Sequence, residues 1–116
     1  MKSLVFAAVA LLASPQAQQV YKPGNGVSLP TVVVQVQPQY TPEAMANRIE
    51  GVVVLSVVVQ ADGTVGDVAV EQSLDDTTGL DRQAVNAMKQ WTFKPGTKDG
   101  KPVAVNVDVQ MKFTLQ

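Results

Sequence analysis

The 116-residue sequence contains no cysteine and no histidine. The lack of cysteine excludes disulfides, thiolate metal sites and thiol nucleophiles. The lack of histidine removes the commonest general base and transition-metal ligand, and with it every Ser/His or Cys/His catalytic arrangement. Asp75 and Asp76 are adjacent acids, and no other polar catalytic residue accompanies them. Their adjacency in sequence does not show the spacing between carboxylates that acid/base catalysis needs. The sequence therefore predicts no enzyme and no cofactor, with solvated loop charges at positions 75 and 76.

The sequence also has no large excess of positive or negative charge. Nine basic and ten acidic residues give a formal net charge of −1, and neither sign is concentrated in a long run. Binding to nucleic acid or to anionic lipid would require a basic patch, so neither partner is expected. A chain of this length allows one domain, which can bury roughly two thirds of its unfolded surface.

The first 17 residues have the pattern of a secretory signal. A short positive start precedes the apolar stretch Leu4–Ala13 and a small-residue exit. Cleavage is expected after Ala17, with Ala13 as the alternative because Pro15 occupies a position where a small residue is preferred. Ten helical residues span about 15 Å against a hydrocarbon core of about 30 Å, so no membrane span is expected in the mature chain. The other interpretation is a retained, weakly anchored tail.

The rest of the chain divides into two predicted parts. Residues 18–31 carry several prolines and glycines with little periodicity, which indicates a flexible lead-in. Residues 32–116 carry the periodic patterns and are predicted to form the folded domain.

Two helices are predicted in this domain. Thr41 can cap a helix whose first position is a proline and which should run to about Arg48. Thr78, followed three residues later by Asp81, has the pattern of a capping box for a second, amphipathic helix. The apolar face of the second helix consists of Leu80, Ala84, Ala87, Met88 and Trp91. This face should cover one face of a sheet, and Trp91 should close the helix end over the core.

Three strands are predicted. The β-branched run 52–59 is apolar on both faces, which favours a central position. Asp62-Gly63 favours a tight hairpin into a return strand at 65–73. From Val103 to Leu115 apolar and polar residues alternate without a miss, which indicates a long strand with one buried face. We therefore expect an α+β fold: a three-stranded antiparallel or mixed sheet, in the order second, first, third, with two helices packed on one face.

The third strand is an edge in this order and would expose unpaired N–H and C=O groups. Such an edge is either blunted by charges, for which Asp108 and Lys112 are candidates, or used to add a partner strand. The residues by themselves leave both interpretations open.

Several motifs follow one another at characteristic spacings: Gln37-Pro38-Gln39-Tyr40, Arg48-Ile49-Glu50-Gly51, Asp62-Gly63, Leu80-Asp81, Ala84-Val85, Ala87-Met88, Trp91-Thr92-Phe93-Lys94-Pro95-Gly96, Asp99-Gly100-Lys101-Pro102-Val103 and the alternating last strand. Their order and spacing resemble the C-terminal domain of TonB, the periplasmic energy transducer of Gram-negative bacteria. The resemblance covers about Val36 to Leu115.

The resemblance implies an exported periplasmic module of the TonB system, which recognises the TonB box of outer-membrane transporters by β-augmentation and supports transmembrane transport. The partner-binding residues that it implies are Gln37, Pro38, Gln39, Tyr40, Arg48, Val103, Val105, Asn106, Val107, Asp108, Val109 and Gln110. Gln37 would offer its side-chain amide to the backbone of the box. Tyr40 is alternatively a packing residue at the core edge, and Arg48 a solvated cation at a helix end.

Full-length members of the family also carry an inner-membrane helix that engages a proton-driven motor, followed by a long spacer rich in proline and lysine. Neither pattern occurs in this sequence. We therefore expect the binding half of the family's role without energy transduction. The alternative function is an envelope interaction module whose edge strand pairs with a second copy to form a homodimer, with no part in transport.

Overall fold

The computed structural model describes residues 19–115. In chain order its elements are β1 (Val20–Tyr21), β2 (Thr31–Val34), α1 (Pro42–Ala46), β3 (Gly51–Val59), β4 (Val65–Gln72), α2 (Leu80–Met88), β5 (Thr92–Lys94), β6 (Gly96–Lys98) and β7 (Lys101–Phe113). The predicted signal at residues 1–17 lies outside the described residues.

The three long strands keep the relative order that the sequence predicts. β3 lies in the middle and pairs antiparallel with β4 on one side and with β7 on the other. The ladder with β7 runs without a register shift from the pair Gly51 and Phe113 to the pair Val59 and Val105. β3 takes the centre because its apolar residues on both faces exclude water best there.

The strand count is higher than predicted. β1 adds to β7 in parallel beside Ala104 and Val105, and β6 pairs antiparallel with the first residues of β7. β2 and β5 form a separate two-stranded sheet. The prediction of three strands is wrong because strands of two to four residues are too short to show a period of two.

The core lies between the two helices and one face of the main sheet. Its fully buried residues are Ala44, Val53, Leu55, Val57, Val59, Leu80, Ala84 and Met88. These residues come from α1, alternate positions of β3, and α2. Trp91 and Phe93 follow α2 and are buried over the same core, as predicted. Both helices therefore cover a single face of the sheet.

The short helix α1 begins where the sequence predicts and ends slightly earlier. The Thr41 hydroxyl accepts a hydrogen bond from the Ala44 N–H at 3.1 Å. The helix ends at Ala46, because Arg48 takes a left-handed conformation with a φ of 53°. The N–H groups of Arg48 and of the next residue donate back to carbonyls of the last turn, as in a Schellman motif.

The start of α2 differs from the prediction. Its N-cap is Gly79, which has a left-handed φ of 91° and provides no side-chain cap. The Thr78 hydroxyl donates instead to the Asp75 carboxylate. Asp81, the acid of the predicted capping box, accepts hydrogen bonds from the backbone N–H groups of Leu74 and Asp75 at 3.0 and 3.1 Å. The capping-box prediction is therefore wrong, and Asp81 ties the preceding loop to the helix.

The β3–β4 hairpin turns over residues 60–64, as predicted, and packs against β5. The Phe93 N–H donates to the Gly63 carbonyl at 2.8 Å. Gly63 has a φ of 89°, and a Cβ at this position would lie 2.1 Å from the Phe93 carbonyl oxygen. Only glycine therefore fits between the two backbones.

Residues 19–31, expected to be a flexible lead-in, contact the domain at several points. The Ser28 N–H donates to the Thr97 carbonyl, and the Thr97 N–H donates to the Ser28 hydroxyl, each at 2.9 Å. The Lys98 ammonium lies 4.8 Å from the centroid of the Tyr21 ring. The structure corrects the expectation for this part of the chain, since the lead-in lies along the β6–β7 hairpin.

Candidate functional site

One edge of β7 is open along most of its length. β3 pairs with β7 from Val105 to Phe113, and β1 occupies the opposite edge only beside Ala104 and Val105. Within residues 19–115, no strand pairs with that opposite edge from Asn106 to Phe113. Eight residues of extended backbone, about 26 Å long, are therefore free to pair on this side.

The side chains of this open edge are held by the domain or point to solvent. Val107 and Val109 are half-buried against the core, whereas Asp108 and Gln110 are exposed on the other face. The Asn106 amide nitrogen donates to the Ser56 hydroxyl at 3.0 Å and to the Val57 carbonyl at 3.2 Å. The open edge therefore offers mainly backbone groups to a partner.

The structure divides the predicted residues of the last strand into two groups. Val103 pairs with Gly96 of β6 and is half-buried. Val105 is fully buried and lies between β3 and β1. The other five, Asn106 to Gln110, lie on the open stretch. Only this second group is accessible to an added strand in the arrangement observed.

The lead-in borders the first residues of the open edge. Lys22, Pro23 and Leu29 line a cavity of about 320 Å³ together with residues 106–108 of β7. Leu29 is 65% exposed. The sequence did not predict that the lead-in would line this cavity, because the lead-in shows no periodicity that would indicate a contact with β7.

The Gln37–Gln39 segment lies beside α2. Gln37 and Gln39 are exposed, and Pro38 is half-buried. The two glutamines line one side of a groove of about 330 Å³, and residues of α2 line the other side. The groove also contains Gln83, Asn86 and Gln90, which sequence reasoning did not select. Gln83 and Asn86 lie three residues apart on one face of α2, and Gln90 follows four residues later, just after the helix ends; this spacing was the available signal.

Tyr40 connects this segment to the end of β7. Its ring meets the Phe113 ring edge to face, with centroids 5.5 Å apart. Its hydroxyl donates to the Ile49 carbonyl. Burial, and then the nearby Glu50 carboxylate, raise the pKa of Tyr40 above its ordinary value, so the hydroxyl stays a donor at neutral pH. Tyr40 thus has the packing role that the sequence left as one of two alternatives.

Arg48 is exposed in the left-handed turn between α1 and β3. It lies three residues before Gly51, which pairs with Phe113 at the end of β7. Tyr40 and the turn that contains Arg48 therefore lie at the Phe113 end of the sheet, where the open edge ends.

The described residues show neither a metal site nor a membrane-crossing helix. No group of three or more acidic side chains within residues 19–115 is placed to hold a metal ion. In the same range, no helix has the length and apolar character needed to cross a membrane.

Two carboxylates away from the β7 edge and the Gln37–Tyr40 segment, Asp62 and Asp75, are stabilised in their ionised form. The Thr64 hydroxyl and N–H donate to Asp62 at 2.6 and 3.0 Å, and these bonds lower the pKa of Asp62 below its ordinary value of 3.8. The Thr78 hydroxyl, followed by the N–H groups of Thr77 and Thr78, lowers the pKa of Asp75. Asp75 thus shapes its loop, a role that the prediction of a solvated charge did not include.

These lowered pKa values predict a loss of stability in acid. A carboxyl whose pKa is lower in the folded state stabilises the fold above its ordinary value of 3.8, and this contribution is lost as the pH falls through the folded value. We expect the urea midpoint of unfolding to fall between about pH 5 and pH 3. The double variant Asp62→Asn and Asp75→Asn should show a flatter profile in this range. An unchanged profile would assign the acid sensitivity to other carboxyls.

Comparison with known proteins places this arrangement among similar domains. The family model described as Gram-negative bacterial TonB protein C-terminal matches residues 36–115. The protein TonB of Vibrio cholerae is 36% identical over 88 residues, which cover 73% of this chain and 34% of that protein. The protein TonB of Escherichia coli is 35% identical over 87 residues, 75% of this chain and 36% of that protein.

A solved structure is similar as well. The solution NMR structure of the Pseudomonas aeruginosa TonB CTD superposes with a TM-score of 0.56 at 26% sequence identity, covering 80% of this chain and 92% of the other. The chain spans about a third of the length of the curated relatives it matches. The likeness is therefore to one part of those proteins.

Proposed function

This chain belongs to the Gram-negative bacterial TonB protein C-terminal family, and on that premise we propose that it is a periplasmic peptide-binding module of the TonB system. In this proposal it recognises the TonB box of outer-membrane transporters by strand addition and supports transport across the outer membrane. It acts by binding, without catalysis.

The observation that carries the proposal is the open edge of β7 from Asn106 to Phe113. An extended peptide placed there would pair its backbone with unpaired N–H and C=O groups, and main-chain hydrogen bonds supply affinity in this mode of recognition. On its other side, β7 is held in one register by nine residue pairs with β3. The acceptor strand is therefore preorganised, which reduces the entropic cost of binding.

The other proposed contacts lie at one end of this edge. Gln37 and Gln39 are exposed, and the same segment ends at Tyr40, which packs on Phe113. Arg48 is exposed at the same end. A peptide strand along β7 would thus meet Tyr40 and the turn that contains Arg48 where it passes Phe113, and Gln39 and Gln37 would be the next contacts along the segment. Val103 and Val105 would contribute by supporting the start of the edge, because both are already paired.

Export to the periplasm is part of the proposal. The signal pattern at residues 1–17 supports it. The relatives that carry the name TonB support the same compartment through the family's role.

An NMR titration of ¹⁵N-labelled protein with a synthetic TonB-box peptide tests the proposal. We expect amide shifts along residues 106–113 and at Gln37, Gln39 and Tyr40, with little change in β4. A folded protein that shows no shift at millimolar peptide would contradict TonB-box recognition by this edge.

The second candidate function uses the same open edge. Antiparallel pairing of β7 with β7 of a second copy would satisfy the same backbone groups and form a two-fold dimer. Sedimentation equilibrium separates the two functions. A concentration-dependent dimer that the peptide fails to dissociate would favour self-pairing, whereas a monomer that binds the peptide would exclude it.

A further inference from the structure

A groove between residues 36–39 and α2 is lined mainly by carboxamide side chains. Gln37 and Gln39 come from the segment that precedes α1, and Gln83 and Asn86 come from α2. Gln90 follows the end of α2, and its side-chain nitrogen donates to the Asn86 carbonyl at 3.2 Å. The groove has a volume of about 330 Å³. The core side of α2 is buried, so Gln83 and Asn86 form a separate polar face of the helix.

The groove is held in shape by a buried aromatic residue. The Trp91 indole N–H donates to the Val36 carbonyl at 2.9 Å, across 55 positions of sequence, and Trp91 is only 6% exposed. This bond fixes the segment at a set distance from α2. A ligand would therefore enter a preformed groove rather than one that it must open.

The chemistry of the lining selects an uncharged ligand with both donors and acceptors. A carboxamide donates two hydrogen bonds and accepts through its oxygen, and no ionisable side chain lines the groove. A peptide unit carries the matching N–H and C=O pair. A glycan is less well matched because no aromatic face lines the groove on which a sugar ring could stack, and the Trp91 indole is buried. The lining thus favours the backbone of a neutral peptide.

Tyr40 connects the groove with the end of the open edge of β7. Gln39 lines the groove, and the next residue, Tyr40, packs on Phe113 at the end of the edge. A peptide strand that passes Phe113 on β7 therefore comes close to Tyr40, whose neighbour Gln39 lines the groove. We infer that the carboxamide groove binds an uncharged segment that adjoins the strand-forming segment of the partner peptide. This inference rests on the proposed function and extends its site onto α2.

Three synthetic peptides test the inference. The first is a TonB-box heptapeptide, and the other two carry eight additional uncharged residues, Gly-Ser-Asn-Thr twice, at the N-terminus or at the C-terminus. The two extensions cover both directions in which a strand can run along β7. We expect one extended peptide to bind about tenfold more tightly than the heptapeptide, as for one or two good hydrogen bonds. The same peptide should shift the side-chain NH₂ signals of Gln83, Asn86 and Gln90.

The double variant Gln83→Ala and Asn86→Ala should lose the tenfold gain and still bind the heptapeptide normally. Alanine is a better helix former than either amide, so α2 should remain intact. Arg82→Ala is the matched control, because Arg82 is exposed on the same helix and does not line the groove. This control should keep the gain.

The outcomes separate the inference from the function on which it rests. No gain with either extension, or a gain that the double variant retains, overturns the groove inference while shifts along β7 still support the proposed function. Shifts at the α2 amides without shifts along β7 would support the groove and contradict strand addition. No shifts with any peptide would overturn both.

Discussion

The substitution Asp81→Ala should lower the free energy of unfolding by about 3 kcal/mol. Asp81 is 8% exposed and accepts hydrogen bonds from the N–H groups of Leu74 and Asp75 and from the Ser73 hydroxyl. Alanine would leave two backbone N–H groups without an acceptor in a partly buried loop, and each such group costs about 1 to 3 kcal/mol. Urea unfolding followed by circular dichroism measures the change.

Asp81→Asn is the control for this prediction. The asparagine side-chain oxygen can still accept from both backbone N–H groups, so its cost should be about 1 kcal/mol, since a bond to a charged acceptor is replaced by a neutral one. Equal losses in the two variants would show that the negative charge, rather than the hydrogen bonds, holds the loop to α2. Equal losses near zero would contradict the role of Asp81 altogether.

Two proline substitutions at neighbouring positions of β7, Val107→Pro and Asp108→Pro, should have opposite consequences. Both residues pair with β3, opposite Val57 and Ser56. In an antiparallel ladder successive N–H groups point to opposite sides, so one of the two points towards β3 and the other towards the open edge. Proline removes the N–H, and in the middle of a sheet it costs a ladder bond and distorts the strand.

The variant whose N–H pointed to β3 should be largely unfolded, with a loss of about 3 kcal/mol or more. The other should stay folded and lose TonB-box binding by at least about 100-fold, because the edge loses a donor and its proline ring blocks the incoming strand. Thermal unfolding and a fluorescence titration measure the two effects. A folded proline variant that binds the peptide with unchanged affinity would exclude the β7 edge.

Asp108→Ala provides a matched control at the same position. It removes an exposed charge and keeps the backbone N–H, so affinity should change by no more than about threefold. A large loss in this variant would mean that the side chain is recognised. The comparison thus separates backbone recognition, which the proposed function requires, from side-chain recognition.

The long elements of the fold could be predicted because their signals are local. The apolar run of β3, the Asp62-Gly63 turn and the alternation of β7 each depend on residues close together in the sequence. The Thr41 cap of α1 is a bond between residues three apart. Local patterns of this kind bias the backbone wherever the segment is placed, so they can be read without knowing the fold.

The candidate site was only partly predictable. The Gln37–Tyr40 segment and the last strand were both expected to bind a partner, and the Tyr40–Phe113 contact brings them to one end of the sheet. The sequence did not indicate that Val103 and Val105 would already be paired, or that α2 would add its amides. Those features depend on short strands and on one helix face whose polar residues could equally have faced bulk solvent.

The family, the two helices, the three long strands and their relative order could all be predicted from the residues, because periodicity, turn residues and motif spacing are properties of neighbouring residues. How much of the β7 edge stays open depends on the folded structure, since β1 pairs with β7 from more than 80 positions away. The folded structure also decides the shape of the groove, through the bond between Trp91 and Val36. Contacts between distant segments depend on which alternative packing is most favourable for the whole chain, and no local pattern contains that information.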